Sequence, residues 1–104
     1  MKKIVNLFDE ENWEVANGYP QGTLAKVLRD DKNVKTVLLK LPKGFYMAPH
    51  SHLTTEQNFL IEGEYEIAGE RYSAGCYQIF FPGDEHGPFE SKSGALVLVV
   101  YDSI

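Results

Sequence analysis

The chain has 104 residues, 43% of them hydrophobic and 12% aromatic, which is enough apolar content to bury a core and excludes intrinsic disorder. Ten basic against fifteen acidic residues leave a net charge of −5, which argues against nucleic acid or an anionic membrane surface as the main partner. A single cysteine, Cys76, excludes an internal disulfide and fits a reducing compartment.

At the amino terminus, "MKKIVNLFDEENW" starts like a leader, but Asn6 breaks its apolar run and Asp9 ends it. No segment approaches the ~20 apolar residues of a membrane span, so a cytoplasmic protein is expected. Turn residues in "NGYPQG" precede "TLAKVLRDD", which has some helix propensity but only a weak start signal at Gly22 and is read as a strand. "VKTVLLKL", "QNFLIE", "YEIAG", "RYSAG", "CYQIFF" and "ALVLVVYD" follow, each short and rich in β-branched or aromatic residues. "EYEI", "AG" and "ERY" in succession predict a β-hairpin. In an extended "CYQIFF", Tyr77, Ile79 and Phe81 share one face, and Cys76, Gln78 and Phe80 the other. Many short strands separated by turns predict an all-β sandwich or barrel, read as one domain spanning residues 1–104.

The three histidines are His50, His52 and His86. Two residues apart on a strand, His50 and His52 face the same side with Cα atoms about 6.5–7 Å apart, so two imidazoles could converge on one ion. Glu56 has the same parity, although "LTT" can bend the chain before it. Asn58 lies two residues past Glu56 and Glu90 four past His86, so regular strands would give each the ligands' inward face. A polar group inside a barrel needs a partner, so either could orient a ligand, bind substrate or move a proton. The alternative is that both are solvated at the barrel mouth.

The sequence resembles the cupins. Their first motif, G-x5-H-x-H-x3,4-E-x6-G, is matched at every position by Gly44, His50, His52, Glu56 and Gly63. Their second, G-x5-P-x-G-x2-H-x3-N, is matched by Gly75, Gly83 and His86, with Phe81 in place of the proline and Glu90 in place of the asparagine. The motifs occupy residues 44–63 and 75–90, and the flanking strand pattern is compatible with one antiparallel cupin barrel, or jelly roll. The resemblance implies one divalent transition metal (Fe, Mn, Ni or Zn) held by His50, His52, Glu56 and His86. It also implies that Tyr77, Ile79 and Phe81 face the cavity and that Phe80 points outward.

The stretch from Leu39 to Glu90 is similar to the cupin module of zinc-binding anti-sigma factors. Those proteins carry an additional sigma-binding domain, for which this chain has no room, so an anti-sigma role is not expected. Three imidazoles and a carboxylate suit two classes of function. An octahedral ion would keep two open positions for dioxygenase, isomerase or lyase chemistry on a small oxygenated molecule, with Glu90 or Asn58 assisting. A tetrahedral zinc would be closed, as in a non-catalytic binding or sensing module. The enzyme reading is preferred. A homodimer is expected, with "ALVLVVYD" or "KKIVNLF" forming or covering a sheet edge.

Overall fold

A computed structural model describes residues 2–102; Met1, Ser103 and Ile104, at the ends of the expected 1–104 domain, lie outside the described residues. Nine strands and no helix occur among them: β1 Glu14–Val15, β2 Leu24–Asp30, β3 Val34–Leu41, β4 Phe45–Met47, β5 Thr55–Ile67, β6 Glu70–Ser73, β7 Tyr77–Phe80, β8 Phe89–Ser91 and β9 Ala95–Asp102. Every pairing is antiparallel. The result is the curled sheet of a cupin-type jelly roll. "TLAKVLRDD" is the strand β2, where tertiary pairing with β3 outweighs a weak helical preference.

The thirteen-residue β5 organises the molecule. Its first half lies between β9 and β7, and its second half pairs with β6 and β8. A bulge between Leu60 and Glu62 shifts the register against β9. The extra residue changes which parity faces inward. Glu56, Asn58 and Leu60 are buried before the bulge, and Tyr65 is buried after it. The predicted hairpin forms at Ile67↔Glu70, with Ala68 and Gly69 both at positive φ. Two such residues in a two-residue turn are what a type I′ connection requires.

The core lies inside the curl. Val37, Leu39 and Leu41 from β3 meet Val97 and Val99 from β9, closed by Phe45 and Phe89. The outer face of β2 and β3 is covered by the amino-terminal segment. Lys26, although 7% exposed, directs Nζ to the Asp9 carbonyl at 3.1 Å and lies 4.7 Å from the Trp13 ring centre. Residues 9–13 therefore lie against a sheet face, and "KKIVNLF" forms no strand at an edge.

Two expectations about faces are corrected. In β7, Glu56 pairs with Phe80 and Asn58 with Gln78, and directly opposed residues share a face. Phe80 and Gln78 therefore point inward, while Tyr77 and Ile79 are 47% and 39% exposed and Phe81 is also exposed. In β9, the run "ALVLVVYD" is bonded to β3 on one side and β5 on the other, so it offers no edge.

Gly63 of the first motif has φ +80, and an added Cβ would approach Ala95 Cα to 2.9 Å. Gly75 has φ +98 but open space around it. Gly75→Ala should cost about 1–2 kcal/mol for the left-handed backbone alone. Gly63→Ala should cost more, because the β5–β9 pair must also separate. Urea unfolding of the two variants checks this, and equal losses would contradict it.

Candidate metal centre

His50 and His52 lie in the loop before β5, so strand alternation is not what makes them converge. A backbone bridge does it. His50 N–H donates to the His86 carbonyl at 3.0 Å, and His86 N–H donates to the His50 carbonyl at 2.9 Å. Gly83 N–H donates to the His52 carbonyl at 2.9 Å, which ties the two histidine loops together a second time. The imidazole centres end 4.4 Å (His50–His86), 4.9 Å (His50–His52) and 5.3 Å (His52–His86) apart. Glu56, inward on β5, completes a group whose four donor atoms lie within 4.8 Å of one another.

The backbone also selects the tautomers. Nδ1 of His50 lies 3.1 Å from the Ala48 carbonyl, and Nδ1 of His86 lies 3.1 Å from the Asp84 carbonyl. A carbonyl can only accept, so each Nδ1 carries the proton and each Nε2 keeps a lone pair. Burial holds His52 below its ordinary pKa. Burial also lowers His86, with a contribution from the neighbouring imidazoles and partial opposition from Asp84. Both changes favour the neutral, ligating form. Burial pushes Glu56 up, opposed by His50 and the Asn58 side chain.

The donor set fits a metal ion. His52 Nε2, His86 Nε2 and Glu56 Oε1 are buried and none has a hydrogen-bond partner. His52 Nε2 and Glu56 Oε1 are only 2.8 Å apart, yet they lack the alignment of a hydrogen bond. Buried polar atoms that crowd together without bonding one another are arranged for a shared cation.

Around this group the β5 register sets the neighbours. Glu56 is flanked by Phe80 on β7 and Tyr101 on β9. Phe80 stacks on His86 with ring centres 4.2 Å apart, and the Tyr101 ring stands edge-on to His52 at 5.7 Å. Tyr101 and Tyr19 share a hydroxyl–hydroxyl hydrogen bond of 2.6 Å. Burial raises both phenols, so both stay protonated at neutral pH. Tyr65 donates to Gln78 Oε1. A cavity of about 410 Å3 of atom-free space, its open mouth included, lies against His50 and Glu56. Its walls are mostly apolar, with Phe45, Met47 and Phe89 among them, and no Lys or Arg among the described residues lines it.

Of the sequence-derived candidates, His50, His52, Glu56 and His86 come together, and Asn58 lies buried beside Glu56 on the cavity wall. Glu90 does not join them. Gly87, at φ +112, breaks the extended chain after His86, and Phe89 takes the inward position of β8. Glu90 is cross-strand from Tyr46 and Glu66, and Tyr46 is exposed, so Glu90 belongs to the outer face. Tyr19, Tyr65 and Tyr101 were missed. Alternation in "ALVLVVYD" could have paired Tyr101 with Val97 and Val99, but Tyr19 sits in a turn and Tyr65 follows a bulge.

A family model described as the ChrR cupin-like domain matches residues 1–104. A structure of Rhodobacter sphaeroides SigE in complex with the anti-sigma ChrR is similar at 22% identity and a TM-score of 0.75, covering 91% of this chain and 51% of that one. The chain thus spans about half the length of that relative. An acetylacetone dioxygenase from Acinetobacter johnsonii is similar at 18% identity and TM-score 0.81, covering 98% and 74%. The polyketide cyclase RemF from Streptomyces resistomycificus is similar at 19% identity and TM-score 0.83, covering 100% and 81%. No curated protein sequence matches.

If the four residues hold a metal, His50→Ala, His52→Ala and His86→Ala should each lose most of it while keeping a β-sheet circular dichroism spectrum. A full equivalent bound by the triple variant would contradict the site. Metal should also raise Tm by mass action. That gain should shrink as pH falls, because protons compete for Nε2. The lowered values of His52 and His86 put the decline at a lower pH than for an ordinary imidazole. A Tm gain that is flat through the imidazole range and below would contradict imidazole ligation.

Proposed function

The chain belongs to the ChrR cupin-like domain family of the cupins, and from that premise we propose that it is a metal-dependent enzyme acting on a small, largely apolar, oxygenated molecule. The observation that carries the reading is that His50 and Glu56 belong both to the donor cluster and to the wall of the cavity. A molecule in that cavity would lie against the metal. A divalent ion held by His50, His52, Glu56 and His86 would supply Lewis acidity or, if redox-active, activation of O2.

The chain's own residues have definable tasks. The Ala48 and Asp84 carbonyls keep the Nε2 atoms of His50 and His86 aimed inward. Phe80 excludes water from one side of His86. Asn58 favours the charged Glu56 carboxylate and offers a neutral polar group on the cavity wall to a bound molecule. With no cation on its wall, the cavity is unsuited to a sugar phosphate or polycarboxylate, whose charge would be desolvated without a partner. A neutral diketone, enol or ketol fits better. The enzymes among the structural neighbours, a dioxygenase acting on acetylacetone and a polyketide cyclase, are named for oxygenated substrates of this general kind.

The second reading is a zinc-binding sensing module. It is supported by the family match, and by the fact that three imidazoles and one carboxylate already complete a tetrahedral shell. Elemental analysis with X-ray absorption on tag-free protein separates the two. The enzyme reading expects six-coordinate iron, manganese or nickel whose spectrum changes when acetylacetone is added. Four-coordinate zinc with an unchanged spectrum would contradict it and favour the module.

The single, half-buried Cys76 supports placement in a reducing compartment such as the cytoplasm. No helix among the described residues is long and apolar enough to cross a membrane. A homodimer through the outer face of β5 and β7 is supported by the exposed Phe59, Tyr77 and Ile79, and by β7 pairing with β5 alone among the described strands. Light scattering at micromolar concentration should give twice the chain mass, falling to the chain mass in Ile79→Asp. A monomeric wild type, unchanged on concentration, would contradict this interface.

A further inference from the structure

The polar groups left over inside the cavity define the ligand it takes. Tyr19 and Tyr101 line it from the β1–β2 turn and from β9, and their hydroxyls bond to each other at 2.6 Å. Two hydroxyls sharing one hydrogen bond use one proton between them. Whichever phenol donates, one O–H remains, and neither hydroxyl makes a second hydrogen bond among the described residues. Asn58 is the complement. It is 4% exposed, it lines the same cavity, and its Oδ1 is buried without a partner. The Asn58 side chain also acts to lower the pKa of Glu56 and of Tyr65, the sense expected of an amide N–H facing their oxygens. Apart from Glu56 Oε1, which belongs to the donor cluster, the cavity therefore holds one surplus donor and one surplus acceptor in largely apolar walls.

The register gives their spacing. Glu56 is opposite Tyr101 and Asn58 is opposite Val99, so Asn58 and Tyr101 are diagonal neighbours on the inner face. Such residues lie about 7–8 Å apart, with their Cβ atoms somewhat closer. A molecule of a few heavy atoms can reach both, and would lie beside Glu56 while doing so.

We propose that the cavity binds a hydroxycarbonyl compound, a ketol or the enol form of a diketone, with its carbonyl oxygen accepting from the Tyr19–Tyr101 pair and its hydroxyl donating to Asn58 Oδ1. This narrows the substrate class of the enzyme reading and rests on the cavity being its ligand pocket. It does not depend on the metal. A site that leaves buried groups unpaired discriminates against the analogue lacking the matching group more strongly than an apolar pocket discriminates by size. Tyr19 and Tyr101 should weaken or strengthen every carbonyl ligand together. Asn58 alone should set the preference for a hydroxyl.

The test is calorimetric titration of metal-loaded and metal-free protein with 2-hydroxyacetophenone, acetophenone and 2-methoxyacetophenone. In the wild type the hydroxyketone should bind on the order of tenfold tighter than either analogue, with or without metal. Tyr101→Phe and Tyr19→Phe should weaken all three several-fold and keep their ratio. Asn58→Leu should bring the ratio close to one. If Asn58→Leu does not fold, the comparison with the methyl ether on wild-type protein asks the same question, since methylation removes only the donor. Equal affinities for all three in the wild type, an undiminished ratio in a folded Asn58→Leu, or no binding by any of the three would overturn the proposal. A tenfold preference without metal, joined to four-coordinate closed zinc, would retain this ligand class while removing the enzyme reading.

Discussion

Glu56 places a carboxylate oxygen in the interior without a hydrogen-bond partner. A buried charge of that kind costs several kcal/mol unless a counter-charge or a proton answers it. Burial accordingly pushes its pKa up. The residues around it form a group that could hold a cation. His52 and His86 are kept neutral by burial, and the Nε2 lone pairs of His50 and His86 are left free because backbone carbonyls hold the Nδ1 protons. Leaving the same atoms without an ion concentrates unsatisfied polarity in one place. The fold tolerates this because the curled sheet, not the site, carries the apolar core.

The β5 register turns that constraint into a pocket. Glu56 is inward, so its cross-strand partners Phe80 and Tyr101 are inward too, and Asn58 brings Gln78 with it. The bulge after Leu60 then restores Tyr65 to the inner face. One strand, with one inserted residue, positions the carboxylate, an aromatic shield, two hydroxyl-bearing side chains and an amide. The His50–His86 backbone bridge and the Gly83–His52 hydrogen bond then tie the two histidine loops together over the cluster. The inward positions of β3 and β9 supply the remaining wall from Leu39, Leu41, Val97 and Val99.

Much of this was legible in the sequence. Short β-branched runs between turn residues marked the strands, and "IAGE" marked the hairpin. The spacing of His50, His52, Glu56 and His86 marked the cluster, because the resemblance to a metal-binding motif carries three-dimensional information that periodicity lacks. The departures have distinct physical causes. Glu90 was counted from His86 through Gly87, whose positive φ ends the alternation. The faces of "CYQIFF" were assigned by analogy, whereas the pairing of Glu56 with Phe80 decides them. The "ALVLVVYD" run is apolar because it is central, and composition alone does not distinguish a central strand from an edge waiting for a partner. Tyr19 could not be found because nothing local in "NGYPQG" points to β9, 82 residues from Tyr19 to Tyr101.

The central claim is that the buried donors are ligands to one ion at the edge of a cavity. Anomalous X-ray scattering from crystals of tag-free protein, at the absorption edge of whichever metal elemental analysis finds, tests it most directly. The account predicts one strong peak equidistant from the Nε2 atoms of His50, His52 and His86 and a Glu56 carboxylate oxygen, on the cavity side of the cluster. A peak elsewhere on the molecule, or ordered water hydrogen-bonded to all four groups in metal-saturated crystals, would contradict it.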